Sequence, residues 1–349
     1  MAERAKSASG QVSAKKKFAF DSTVEVSSCR DEVENATLDA YRSGALEVLA
    51  ELWEENVEHL CGQRWQRRVK PKMTRAGWCA CQLMLGGKRL DVRRPRVRSN
   101  KGKEVELPTI KAATQRDLLD RAAIEDVTAA VTTGTYPLER HPRDEIGVNF
   151  VEGLINRMSA TQASYRGEFA AGLLIGAIEF PDQSFLGAVS ITQDGSRSLV
   201  GLRAGSQRSS ANVEGFLDDL VAKHRRSAPP AVFFVCEEPT IHEAIRARFG
   251  SAAILQRSPQ DKRRRVLGLL PPSIQPSILE DLLEAYAQKS GRAAHKALQE
   301  VIKSLEGSYP EAASALADGL DDSLTMHRLG DSSGRTAATR AQPATHQGI

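Results

Sequence analysis

Apolar positions divide the chain into segments of distinct period. From Asp31 to Leu60 they recur at Leu38, Tyr41, Ala45, Leu49, Leu52, Trp53, Val57 and Leu60, the spacing of one helix face, and Gly62 ends the run. The period then drops to two. In CQLML-GG-KRLDVRR, Leu90 and Val92 alternate with charges, and Gly86 and Gly87 supply the positive φ of a two-residue turn. This predicts a β-hairpin with Lys88, Arg89, Asp91 and Arg93 on its outer face, and Arg94, Arg96 and Arg98 continue the basic strip around Pro95. A second helix is predicted from Thr114, with Asp117 as capping partner, to Gly134, and a third over 144–158.

Beyond residue 170 the apolar runs become continuous. AAGLLIGAIEF (170–180), FLGAVSITQ (185–193) and SLVGLRA (198–204) predict three antiparallel strands, with Asp194 and Gly195 turning between the last two. SSANVEGFLDDLVAKHRR has helical periodicity behind a serine cap. AVFFVC (231–236) reads as a fully buried central strand, residues 239–250 as a helix opened by Pro239 and closed by Gly250, and AAILQ (252–256) as a fifth strand. Helices follow over 260–270, 276–289, 292–306 and 310–326. The order β-β-β-α-β-α-β predicts an α/β fold with an RNase H-like mixed sheet. Residues 29–160 would form an N-terminal region of helices plus basic hairpin, 170–330 the core with its helical C-terminal part, and 1–28 and 331–349 a disordered arm and tail.

Composition narrows the function classes. At 349 residues with 41% hydrophobic and 26% charged, the sequence falls among soluble globular proteins. No apolar run approaches the ~20 residues of a membrane span, and the first residues lack a signal-peptide stretch, so a cytoplasmic address is expected. The five cysteines are scattered and read as free thiols, and Cys79 and Cys81 lack zinc-finger spacing. Net charge is only +4, but between Cys61 and Lys103 there are 14 Lys or Arg against a single acid, Asp91. That imbalance points to DNA, with Arg64, Arg67, Arg68, Lys88, Arg89, Arg93, Arg94, Arg96 and Arg98 as contact residues. Trp65 and Trp78 interleave with these cations. Isolated aromatics of this kind are core residues more often than stacking platforms. His224, His242 and His295 are expected to be exposed, Cys236 to be core, and Glu237 and Glu238 to form a solvated turn. The run Lys262–Arg265 reads equally well as a substrate-channel lining or as a solvated helix face.

Four segments carry a resemblance in a fixed order: LMLGGKRLDVRRPRVRSNKGKEVELPT (83–109), ITQDGSRSLVGLRAGSQRSSANVEGFLDDLV (191–221), LQRSPQDKRRRVLGLLP (255–271) and EGSYPEAASALADGLDDSLTMHRLG (306–330). Together they resemble the Mutator-type transposases of bacterial insertion sequences over about residues 40–330. The resemblance implies an RNase H-like core with two Asp and one Glu holding Mg2+ for DNA strand cleavage and transfer, and terminal inverted repeats as the DNA partner. Matched residue by residue, the first Asp position falls on Gly176. The second falls on Cys236, with Glu237 as the substitute if the register slips by one. The family's Cys and His match Ser258 and Asp261. The third Glu has no counterpart, because the chain departs from the family after Gly330 into TAATRAQPATHQGI. The block before residue 170 also looks shortened, and an internal deletion with a late frameshift would account for both features. The resemblance therefore implies a transposase whose catalytic set is incomplete, with Mg2+ not properly held. The alternative is a truncated DNA-binding regulator or repressor that competes or oligomerises with an intact transposase.

Overall fold

The computed structural model describes residues 28–329 except 66–71, 136–140, 142, 165–171, 193–194, 224–229, 231 and 251–252. The proposed arm (1–28) except Ser28, the proposed tail (331–349), and Arg67, Arg68, Asp194 and His224 lie outside the described residues.

Helix α1 (Cys29–Cys61) is capped by Ser28, whose Oγ accepts the Asp31 N–H. Asp31 and Glu32 sit in its first turn, where the helix dipole favours acids. Val33, Thr37, Tyr41, Ala45, Leu49, Trp53 and Val57 are all buried, an i, i+4 stripe that runs its whole length. At ~1.5 Å per residue the helix is ~50 Å long and touches both sheets.

The first sheet is the hairpin β1 (Met73–Leu85) and β2 (Lys88–Ser99) with the short β3 (Glu104–Val105) on its edge. Gly86 and Gly87 have φ of 57° and 72°, as the two-residue turn requires. The hairpin is longer than the alternation predicted because β1 extends back through residues whose side chains follow no simple pattern, with a bulge between Arg75 and Trp78.

The predicted helix from Thr114 to Gly134 is two helices. These are α2 (Pro108–Gln115), which starts at Pro108 and contains Thr114, and α3 (Arg121–Thr133), capped by Asp120 and closed by Gly134 in the left-handed region. Thr114 instead donates its hydroxyl to the Ile110 carbonyl. Asp117 is not a cap of that helix. Its carboxylate accepts the N–H groups of Gly86 (3.1 Å) and Gly87 (2.8 Å) and so clamps the hairpin turn. A contact made across 30 residues leaves no trace in local periodicity. Helix α4 (Glu145–Ser164) outruns its predicted end by six residues.

The second sheet has the order β6-β5-β4-β7-β8, from β4 (Gly172–Glu179), β5 (Ser184–Ile191), β6 (Arg197–Ala204), β7 (Val232–Val235) and β8 (Leu255–Arg257). The first three strands are antiparallel neighbours, and β7 and β8 join in parallel through α5 (Ser210–Lys223) and α6 (Pro239–Phe249). The N-terminal turns of α1 cover one face, and Phe216 and Leu220 of α5 pack against Gly201 on the other. Burial from both sides explains why β4, β5 and β7 read as unbroken apolar runs.

One apolar core runs from α1 through the hairpin to this sheet. A second lies among α7 (Pro259–Gly268), α8 (Gln275–Tyr286), α9 (Gly291–Glu306), α10 (Pro310–Ala317) and α11 (Leu320–Ser323). The predicted helix 310–326 breaks at Asp318–Gly319. Gly319 has φ 58°, and the Arg257 guanidinium fills the space a Cβ would take.

Candidate functional site

A cleft of about 600 Å3 opens at the C-terminal ends of β4 and β7, where an open sheet with parallel strands places ligands. Glu179, Cys236, Glu237, Glu238 and Asp261 line it together with Arg30, Arg208, Arg264 and Arg265. Gly176 on β4 and Cys236, the residue directly after β7, are the two positions matched to the transposase Asp residues, and the two parallel strands end side by side at this cleft.

Gly176 is a seat for α1. It pairs in register with Gly187 on β5. A Cβ at Gly176 would stand 2.9 Å from the Cys29 carbonyl oxygen and 3.3 Å from Val33 Cγ2, and one at Gly187 would collide with Val33. The two glycines form a notch for the first turn of the helix. Asp261 holds that turn from the other side, accepting the Ser28 hydroxyl (2.8 Å) and the Cys29 N–H (3.1 Å). A carboxylate at a helix N-terminus is favoured by the exposed N–H groups and the dipole.

Cys236 is buried, and that burial pushes its thiol up to about 12. It is a neutral core side chain donating to Gln207 Oε1 at 3.4 Å, as its place in an apolar strand predicts. Glu237 departs from the expected solvated turn, since its side chain is only 6% exposed. Lys262 Nζ, itself buried, lies 3.0 Å from Glu237 Oε2, with Arg257 at 3.6 Å and Arg265 at 3.7 Å. Burial raises the Glu237 carboxyl and lowers the Lys262 ammonium, and their mutual attraction opposes both shifts. Lys262 also donates to the carbonyls of Asp318 (2.5 Å) and Ala315 (3.4 Å), tying the β7 end to α10. The run from Lys262 is thus split. Lys262 is interior, Arg263 lies over the Tyr286 ring, and Arg264 and Arg265 face the cleft. Glu179 stands at the exposed end of its strand and lines the cleft mouth.

His242 is buried, against the expectation of exposure, with Nε2 2.7 Å from the Cys236 carbonyl. Nε2 must carry the proton, since a carbonyl can only accept. Burial, reinforced by Arg257, pushes its pKa down to about 4. The unfolded imidazole takes up its proton near 6.5, whereas the folded one stays neutral to about 4, so stability is lost as pH falls between those values. Chemical denaturation should show this loss reaching roughly 3 kcal/mol at pH 4. A His242→Gln variant should lack that component of the pH dependence. His295 is about one-third exposed and sits 3.9 Å from Asp321.

Residues 180–340 match the family model described as Transposase, Mutator family. Over that segment, just under half of the chain, the protein is similar to Mutator family transposases, which supports a transposase role with DNA as partner. A Mutator family transposase requires a divalent metal in general terms. The match includes Cys236, Glu237 and Asp261 and begins four residues beyond Gly176. A search of curated proteins returns no significant match. Among the described residues no helix is long and apolar enough to cross a membrane, and no three His, Cys, Asp or Glu side chains cluster as a metal would need.

The basic hairpin lies outside the Mutator-family match. Here the structure separates residues that the sequence treated as one strip. Arg94 and Arg96 both pair with Glu104 (3.3 and 2.6 Å), and the hydrogen bond from Arg96 holds the Glu104 carboxyl below the usual range. Arg64 and Arg75 share Glu54. Lys88, Arg89, Arg93 and Arg98 are exposed. Lys88 pairs in register with Leu85 on the core-facing side of the ribbon, so it does not share the outer face with Arg89, Asp91 and Arg93. Trp65 and Trp78 are not core residues. They are 101% and 48% exposed, and Trp65 has a φ of 69°, rare for so bulky a side chain. Local sequence carries no signal for Glu54 and Glu104 as partners or for the Gly176–Gly187 notch, because each forms between separate elements.

Proposed function

We propose that this protein is a transposase-derived DNA-binding protein, recognising insertion-sequence terminal inverted repeats through its N-terminal region (29–160). Its RNase H-like core (170–330) lacks a working strand-cleavage centre. The β6-β5-β4-β7-β8 order, an antiparallel meander continued by two parallel strands, supports the RNase H-like reading. The observation that carries the loss of cleavage is the notch at Gly176. The position matched to the first Asp has no side chain, and the space in front of it is taken by Cys29 and Val33.

The other positions fit Mg2+ no better. Hard divalent cations take oxygen ligands and need anionic carboxylates to offset metal and phosphate charge. Cys236 offers a neutral thiol, and the Glu237 carboxylate is already neutralised by Lys262, Arg257 and Arg265. These residues do not form a two-metal site, and no catalytic step is assigned to them. The exposed cations of the hairpin instead favour DNA contact, which needs no metal centre.

The test is a titration of the full chain against duplexes carrying insertion-sequence ends at several salt concentrations, followed by incubation with Mg2+. Binding should weaken steeply with salt, and no nicked product should accumulate. Mg2+-dependent nicking that disappears in a Glu237→Gln variant would overturn the loss of cleavage, and salt-insensitive or absent binding would overturn the DNA-binding role.

A further inference from the structure

We infer that the outer face of the β1–β2 ribbon, rather than its arginine-rich side, reads base edges in the major groove of duplex DNA. The inference rests on the DNA-binding role proposed above and specifies where sequence recognition occurs. Strand register defines the face: Trp78 opposes Pro95, Ala80 opposes Arg93, Gln82 opposes Asp91 and Met84 opposes Arg89. Opposed residues project to the same side of a ribbon, so Trp78, Gln82, Met84, Arg89, Asp91 and Arg93 share one surface. All six are exposed, Pro95 opposite Trp78 is buried and closes the face at that end, and Leu83 and Leu85 on the other side are buried in the core.

The chemistry of this face suits base edges better than phosphates. Arg94 and Arg96 point to the opposite side and are matched by Glu104. On the outer face the one acid of the basic block, Asp91, accepts a 2.8 Å hydrogen bond from Gln82 Nε2. A carboxylate beside phosphates is repelled, but at a base edge it can accept from the cytosine amino group. Glutamine matches adenine in two hydrogen bonds, arginine matches guanine, and exposed apolar groups such as Met84 and Trp78 meet the thymine methyl. The Trp78–Met84 stretch spans about 20 Å, the rise of roughly six base pairs, and the major groove admits a two-stranded ribbon.

The ribbon is also held in place. Asp117 binds both N–H groups of the turn, and Arg42 donates to the carbonyls of Leu85 (3.1 Å) and Gly86 (2.6 Å). Both anchors approach from beneath the tip and leave the outer face open, as a rigid reading surface requires.

The experiment selects bound sequences from a randomised duplex pool with the full chain, then compares single variants whose thermal unfolding matches the parent. Gln82→Ala, Arg89→Ala and Arg93→Ala should each relax preference at one or two adjacent base pairs by about 5- to 150-fold, and Gln82→Ala should leave the salt dependence unchanged. Arg98→Ala should keep the selected sequence and lower the salt slope by about one. A selected sequence unaltered by all three outer-face variants, or binding with no preference at all, would overturn the inference. Failure to bind any duplex would instead overturn the DNA-binding role on which it rests.

Discussion

Gly176→Asp should destabilise the protein by roughly 3–5 kcal/mol and should not produce metal-dependent cleavage. The added Cβ meets backbone, the Cys29 carbonyl oxygen at 2.9 Å and its carbon at 3.2 Å, so no rotamer change relieves it. Retreat of α1 would break the bonds from Ser28 and Cys29 to Asp261 and open the core around Val33. The new side chain would also start against the Cys29 carbonyl oxygen, which repels a carboxylate. Gly176→Ala should show the steric part alone, about 1–3 kcal/mol. Urea midpoints measure both variants, and a nicking assay with Mg2+ measures the gain of function. An aspartate variant with the parental midpoint and new cleavage would mean that α1 yields readily and that the notch does not exclude catalysis.

Lys262→Met should cost a similar amount, about 3–5 kcal/mol, because it strands partners rather than because the ion pair is strong. A fully buried ammonium leaves behind the Glu237 carboxylate and two carbonyls that have lost their donor. Arg257 and Arg265, at 3.6 and 3.7 Å, offset only part of that loss. The Glu237→Gln/Lys262→Met double variant should therefore be more stable than Lys262→Met alone, since it removes the uncompensated charge. A double-mutant cycle by chemical denaturation gives the coupling. Equal, small effects of the two single variants would show Glu237 to be well solvated and free to act elsewhere.

Both expectations concern residues that the sequence raised for other reasons. Gly176 and Cys236 stood out by alignment with a catalytic pattern, and Glu237 as a neighbouring acid that could replace one. Gly176 lies on β4 and Cys236 directly follows the adjacent parallel strand β7, and both strands end at one cleft. What each residue touches was not legible. The Gly187 notch, the Asp261 clamp on α1 and the Lys262 partner come from elements 11, 232 and 25 residues away in sequence.

The α/β class, the succession of strands and helices along the chain and most helix limits were determined by the sequence itself, because apolar period and glycine, proline and serine punctuation act over a few residues. The long stripe of α1 and the glycine turn of the hairpin needed no tertiary context to be read. Tertiary structure alone decided which cations remain exposed, since Glu104 meets Arg94 and Arg96 only when β3 pairs with β2, and Glu54 of α1 meets Arg75 only when the hairpin packs on that helix. It alone broke the predicted helix at 116–120, where Asp117 is drawn to the hairpin turn, and it buried His242 and Glu237 beneath partners from other elements. Periodicity records which side of an element avoids water, whereas charge pairing and close backbone approach depend on segments distant in the chain.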